Sequence, residues 1–178
     1  KVLSSKKVSF FQLRLKKLAD NEIIKIGNKI KPITKKHKVF FLINDSYKIA
    51  KKIKADGCHL GQKDGLATNA FKLLGNKIIG ITCHNSKVFA DKAIKDNATY
   101  LAFGSFFKSK LKPNAIKANL KILSWVKKKT KKPIVAIGGI NEKNYKKLIN
   151  AGANYVAISS FIWNNPFLKP ELAIKKFN

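Results

Sequence analysis

The chain has 178 residues, is 45% hydrophobic by composition, and carries 38 basic residues against 9 acidic ones, for a formal net charge of +29. That length and apolar content fit a single domain, residues 1–178, with a full core. No apolar run approaches the ~20 residues needed to cross a bilayer, and the two cysteines, Cys58 and Cys83, are too few for a disulfide scaffold; a soluble, cytoplasmic protein is expected.

In chain order, short β-branched or aromatic runs alternate with amphipathic segments. The runs are "VSFFQLRL" (8–15), "VFFLI" (39–43), "GCHL" (57–60), "IIGI" (78–81), "YLAFG" (100–104), "PIVAI" (133–137) and "YVAIS" (155–159). Most are nearly continuous apolar stretches, as expected of parallel strands covered on both faces. Between them, "EIIKIGNKIKPITKK", "SYKIAKKI", "VFADKAIKD", "LKILSWVKKKT" and "KNYKKLINAG" space apolar residues three and four apart, with lysines on the other face. This alternation predicts βα units on a parallel sheet. The start, "KVLSSKK", reads as the tail of a helix, so an eight-stranded barrel would lack its first strand here. No Gly-rich fingerprint follows the first strand, which weakens a dinucleotide-binding reading.

The lysines are spread over every segment rather than clustered with aromatic residues that could stack on bases, and this pattern points away from nucleic acid. All but one of the basic residues are lysine; the exception is Arg14. Only a guanidinium grips a phosphate in a planar fork, so its surroundings become a candidate anion site.

In parallel α/β folds of the barrel type, chemistry sits where strands end. Here the strand ends carry Arg14 and Lys16; Asn44 and Asp45; Gly61, Gln62 and Asp64; Thr82 and His84; the stretch "SFFKSKLK"; Gly138 and Gly139; and Ser159 and Ser160. Taken singly, Asn44 or Asp45 could cap the following helix, and Asp64 could be a turn residue beside Gly65. Yet the acidic residues are scarce, and Asp45, Asp56 and Asp64 crowd two adjacent strand ends. Two facing aspartates suit a hard cation such as Mg²⁺, which typically takes one or two carboxylates plus substrate phosphates. The pairs Cys58-His59 and Cys83-His84 are poor zinc sites, because neighbouring strand residues point to opposite faces. The glycines of "IGGI" and the "ISS" ending suit a phosphate, with Ser109 and Lys112 contributed by the neighbouring loop.

The motifs "FQLRLK" (11–16), "LIND" (42–45), "DGCHLGQKD" (56–64), "GITCHNS" (80–86), "AFGSFFKSKLK" (102–112), "VAIGGI" (135–140) and "VAISS" (156–160) resemble, in order, those of the thiamine phosphate synthase family. The resemblance implies an α/β fold, a (β/α)8 TIM barrel. It also implies the joining of hydroxymethylpyrimidine diphosphate to thiazole phosphate, with release of diphosphate. By the same resemblance, Gln12, Leu13, Arg14, Leu15, Lys16 and Asn44 bind the pyrimidine diphosphate, Asp45 and Asp64 hold Mg²⁺, and Thr82 and Lys112 complete that half. Ser109, Lys110, Leu111, Gly139, Ser159 and Ser160 face the thiazole phosphate, and Arg14, Lys16 and Lys112 stabilise the departing anion. Asp56 reads as structural, at the opposite end of its strand. Where the family has Thr-x-Thr-Lys, this chain has Ser109, Lys110, Leu111 and Lys112, and Lys108 replaces the usual proline. Rival readings are a thiazole tautomerase, whose histidine matches a position near His84, a degenerate family member, and a basic nucleic-acid-binding protein. The expected partners are small-molecule substrates, with no membrane, and a homo-oligomer is compatible with the sequence.

Overall fold

A computed structural model describes residues 1–108 and 117–177. The chain divides into two compact units, Val2–Ile81 and the portion from Thr82 onward together with Lys1. After a 3₁₀ turn at Leu3–Ser5, the first unit runs β1 (Phe10–Leu13), α1 (Asp20–Lys36), β2 (Phe40–Asn44), α2 (Tyr47–Lys52), β3 (Gly57–Leu60), α3 (Ala67–Leu74) and β4 (Ile78–His84), whose last residues belong to the second unit. Its strands are parallel, each paired with the next in the chain: Leu13 opposite Ile43, Asn44 opposite His59, Leu60 opposite Ile81.

The apolar runs bury as parallel strands do, with Phe41, Leu42, Ile43, Cys58, Leu60 and Ile79 almost wholly enclosed. Gly27 lets α1 come close; a Cβ there would lie 2.8 Å from Ile53 Cδ1. The first turn of α1 carries Asp20 and Glu22, and its last turn Lys35 and Lys36, which complements the helix dipole. The Glu22 carboxylate also accepts the Ala19 N–H at 3.1 Å.

Helices α1 and α2 end in the same way. The N–H of Val39 reaches the Thr34 carbonyl and that of Lys38 the Lys35 carbonyl, and Ala55 and Lys54 repeat the pattern onto Ala50 and Lys51. These are Schellman motifs, in which the penultimate residue is left-handed and usually glycine. Here Lys38 (φ 56°) and Lys54 (φ 53°) fill that position.

The second unit contains α4 (Lys87–Lys95), β5 (Tyr100–Phe103), α5 (Lys121–Lys129), β6 (Ile134–Ile137), α6 (Tyr145–Asn150), β7 (Tyr155–Ala157), α7 (Ser160–Trp163) and α8 (Pro170–Ala173). Strands β5, β6 and β7 are parallel neighbours in that order. Phe103, Leu101, Leu123, Val126 and Leu148 centre its core. Phe177 closes it edge-on against Tyr145 and Phe161, at 5.2 and 5.4 Å between ring centroids.

All seven predicted strands are present, the first shortened to Phe10–Leu13 and the fourth extended to His84. Helices α3, α7 and α8 lie outside the five amphipathic segments named above.

Candidate active site

In the first unit, strand alternation sorts the side chains before any loop is considered. Gln12 pairs with Leu42, two residues before Asn44, and Asn44 pairs with His59, so Gln12, Asn44 and His59 share one face of the sheet. Phe41, Ile43, Cys58 and Leu60 take the other, and Phe41 lies on the Gly27 side, under α1. Cys58 and His59 thus point apart. The Cys58 and Cys83 thiols are both pushed up to about 12 by burial, so they stay protonated. Among the described residues no three His, Cys, Asp or Glu side chains gather around one point.

Beyond the strand ends three charged groups converge. Asp45 follows β2 with a left-handed backbone (φ 67°), and its N–H donates to the His59 carbonyl at 2.8 Å, which fixes the residue on β3. The cap of α2 is Ser46, whose Oγ accepts the Ile49 N–H at 3.2 Å; neither Asn44 nor Asp45 is spent on that role. Lys16 Nζ sits 3.2 Å from Asp45 Oδ2. Asp64 is held from the other side, its Oδ2 accepting the Gly61 N–H at 2.7 Å within a turn closed by the Asp64 N–H on the Gly61 carbonyl.

The two carboxyls act on each other. Partial burial, and then the hydrogen bond and negative charge of Asp45, push the Asp64 carboxyl above its ordinary range, against the opposing pull of the Gly61 N–H and Lys16. His59 is buried beside Asp45. Its imidazole is lowered to about 4 by burial, which outweighs the attraction of Asp45, so it is neutral at physiological pH. Two like charges held in contact by backbone bonds form a set of hard oxygen donors, the chemistry a divalent cation requires. Gln12 and Arg14 are exposed along the same edge, Leu13 is buried and Leu15 half-buried. Asp56 lies at the opposite end of β3, its Oδ2 accepting the Phe41 N–H at 2.8 Å.

In the second unit, Thr82 is buried on β4, and His84 is exposed with φ 52°. Gly138 (φ 95°) and Gly139 (φ 66°) follow β6 in backbone conformations that favour glycine. They are packed as well as bent. The Ser105 side chain fills the space a Cβ would need at Gly138, and a Cβ at Gly139 would lie 2.5 Å from the Lys108 carbonyl oxygen. The N–H groups of Phe106 and Phe107 donate to the carbonyls of Ile137 and Gly138, each at 3.1 Å. Asn144 Nδ2 donates to the Gly139 carbonyl at 3.0 Å. Ser159 is exposed and opens α7, whose first residue is Ser160. Ser109, Lys110, Leu111 and Lys112 lie outside the described residues. Lys16 as a partner of Asp45, and Ser105 and Asn144 as supports of the glycine turn, are contacts that only the folded chain reveals.

The family model for thiamine monophosphate synthase matches residues 1–162. The chain belongs to the thiamine monophosphate synthase family. Its sequence is 59% identical over 175 residues to the thiamine-phosphate synthase of Pelagibacter ubique, covering 98% of this chain and 84% of that relative. It is 41% identical over 160 residues to that of Erythrobacter litoralis, covering 88% and 75%. The solved structure of a thiamine phosphate pyrophosphorylase from Pyrococcus furiosus superposes with a TM-score of 0.87 at 28% identity, covering 98% of this chain and 84% of the other. The fold class is therefore α/β and TIM-barrel-like. The activity is that of a thiamine-phosphate synthase, a transferase acting on small molecules, and the family uses a divalent metal. Among the described residues of this synthase no helix is long and apolar enough to cross a membrane.

Proposed function

We propose that this synthase joins hydroxymethylpyrimidine diphosphate to thiazole phosphate, giving thiamine phosphate and diphosphate, with Asp45 and Asp64 as ligands of Mg²⁺. The observation that carries the reading is the convergence of these two carboxylates with Lys16 beyond the ends of β1, β2 and β3. When bound, the cation would neutralise the diphosphate as it departs.

The remaining work falls to the chain's own groups. Arg14 and Lys16 bind the diphosphate oxygens and hold positive charge where negative charge develops, the arrangement that lowers a barrier most effectively; Lys112 serves the same end. Gln12 and Asn44, on one face with neutral His59, orient the pyrimidine. Thr82 completes that half. The electron-rich pyrimidine supports the cation left behind, and the thiazole nitrogen attacks it, so no protein nucleophile is needed. Gly139, Ser159, Ser160 and the segment Ser109 to Leu111 bind the thiazole phosphate, with backbone N–H groups after β6 available to an anion.

Thiamine phosphate formation from both substrates, measured with and without Mg²⁺, tests the reading. Activity dependent on Mg²⁺ and lost in Asp64→Ala is the expected result; full turnover by Asp64→Ala would overturn the metal assignment.

A further inference from the structure

The Lys16–Asp45 pair has a bearing on how the cation gains its site. Asp45 is fixed, because its N–H is bonded to the His59 carbonyl at 2.8 Å and its backbone occupies the left-handed region. Lys16 is not fixed in this way. It lies beyond the end of β1, half of its side chain is open to solvent, and it reaches Asp45 through a flexible four-carbon stem. An ammonium 3.2 Å from Asp45 Oδ2 neutralises the carboxylate that a divalent ion would use. Placing both cations on one carboxylate sets like charges side by side, which is unfavourable at any local dielectric.

Resting on the metal reading above, we propose that Lys16 and the divalent cation are alternative partners of Asp45, and that diphosphate links the two by drawing Lys16 away. With a polyanion present, Lys16 has a second partner of higher charge, and the carboxylate is released to the metal. The cation and the diphosphate then favour each other's binding, and by linkage the favour is reciprocal. Lys16 is thus a positioning residue for the metal as well as a ligand of the anion.

The test is metal affinity without turnover. Mn²⁺ is titrated into the full chain at fixed pH and ionic strength, and free Mn²⁺ is read by electron paramagnetic resonance, for the unaltered chain, Lys16→Gln, Lys17→Gln and Asp45→Asn. Because the pair is partly exposed, its removal is worth a modest factor: Lys16→Gln should bind Mn²⁺ about two- to five-fold more tightly. Lys17→Gln removes the same charge from the neighbouring exposed residue and should match the unaltered chain; Asp45→Asn should lose most of the binding. Equal or weaker binding by Lys16→Gln, or equal tightening by Lys17→Gln, overturns the competition while leaving the metal site standing. Unchanged binding by Asp45→Asn overturns both.

Discussion

The N–H of Gly61 donates to Oδ2 of Asp64 across 2.7 Å, and a Cβ added to Gly61 would lie 2.9 Å from that same oxygen. The glycine therefore holds the carboxylate and leaves it room. Its backbone lies outside the left-handed region, so alanine meets no conformational penalty there and acts only by pushing Asp64 aside. Gly61→Ala is expected to keep the native melting profile and to lose about ten-fold or more in kcat/KM, the scale of a displaced charge-assisted hydrogen bond. A variant with native kcat/KM would show that the orientation of Asp64 is immaterial.

Asp64 also predicts a trade between stability and activity. Its carboxyl is raised, first by burial and then by Asp45, so the native chain binds that proton more tightly than the unfolded chain does. The sign follows from linkage. Stability attributable to Asp64 is present in full below 3.8 and is lost as pH rises through the raised value, above which the ionised group is a liability. Asp64→Asn keeps an oxygen for the Gly61 N–H and removes the charge. It should raise Tm at pH 7 by about 1–3 °C while abolishing synthase activity. A fall in Tm at pH 7 would contradict the like-charge account.

His59 carries the opposite sign. Its folded value of about 4 lies below the ordinary 6.5, so as pH drops through that interval the unfolded chain takes up a proton that the native chain refuses. The resulting loss is about 3 kcal/mol between pH 6.5 and 4. Denaturant midpoints measured across this range should show a steep acid decline in the native chain and a shallower one in His59→Gln. Parallel slopes in the two proteins would place the decline on other groups.

Gly138 bears on the other half of the reaction. Alanine there would force a left-handed backbone, at a cost of about 1–3 kcal/mol in strain, and would also drive its Cβ into the Ser105 side chain. Phe106 and Phe107 are bonded to this turn. Separate titrations of the two substrates should show Gly138→Ala raising KM for the thiazole phosphate about ten-fold with little change for the pyrimidine diphosphate. Equal damage to both would mean a general loss of the fold.

The strands were legible because parallel pairing buries both faces, which leaves runs such as "VFFLI" and "IIGI" without polar interruption. Helix α3 was harder to see. It is eight residues long between Gly65 and Gly75, and no side chain caps its first turn. Asp45 and Asp64 stood out because acidic residues are few, but the geometry that joins them is tertiary. Nothing in the spacing from 16 to 45 says that a lysine after one strand meets a carboxylate after the next. Ser46 as the cap of α2 could not be told from Asn44 or Asp45, since all three residue types cap helices and only the fold decides which oxygen faces the free N–H groups. Ser105 and Asn144 gave no sign, because a loop hydroxyl and a loop amide acquire their roles only from what packs against them.

Lys38 and Lys54 hold left-handed turns of the kind that cost a side-chain-bearing residue about 1 kcal/mol or more each, and Asp45 holds another. Glycine at the two lysine positions would relax those turns at no chemical loss, a reserve of thermal robustness open to engineering. The same exchange at Asp45 would discard the carboxylate along with the strain. Identical backbone tension is thus disposable where a helix merely stops and indispensable where the chain must present an acid.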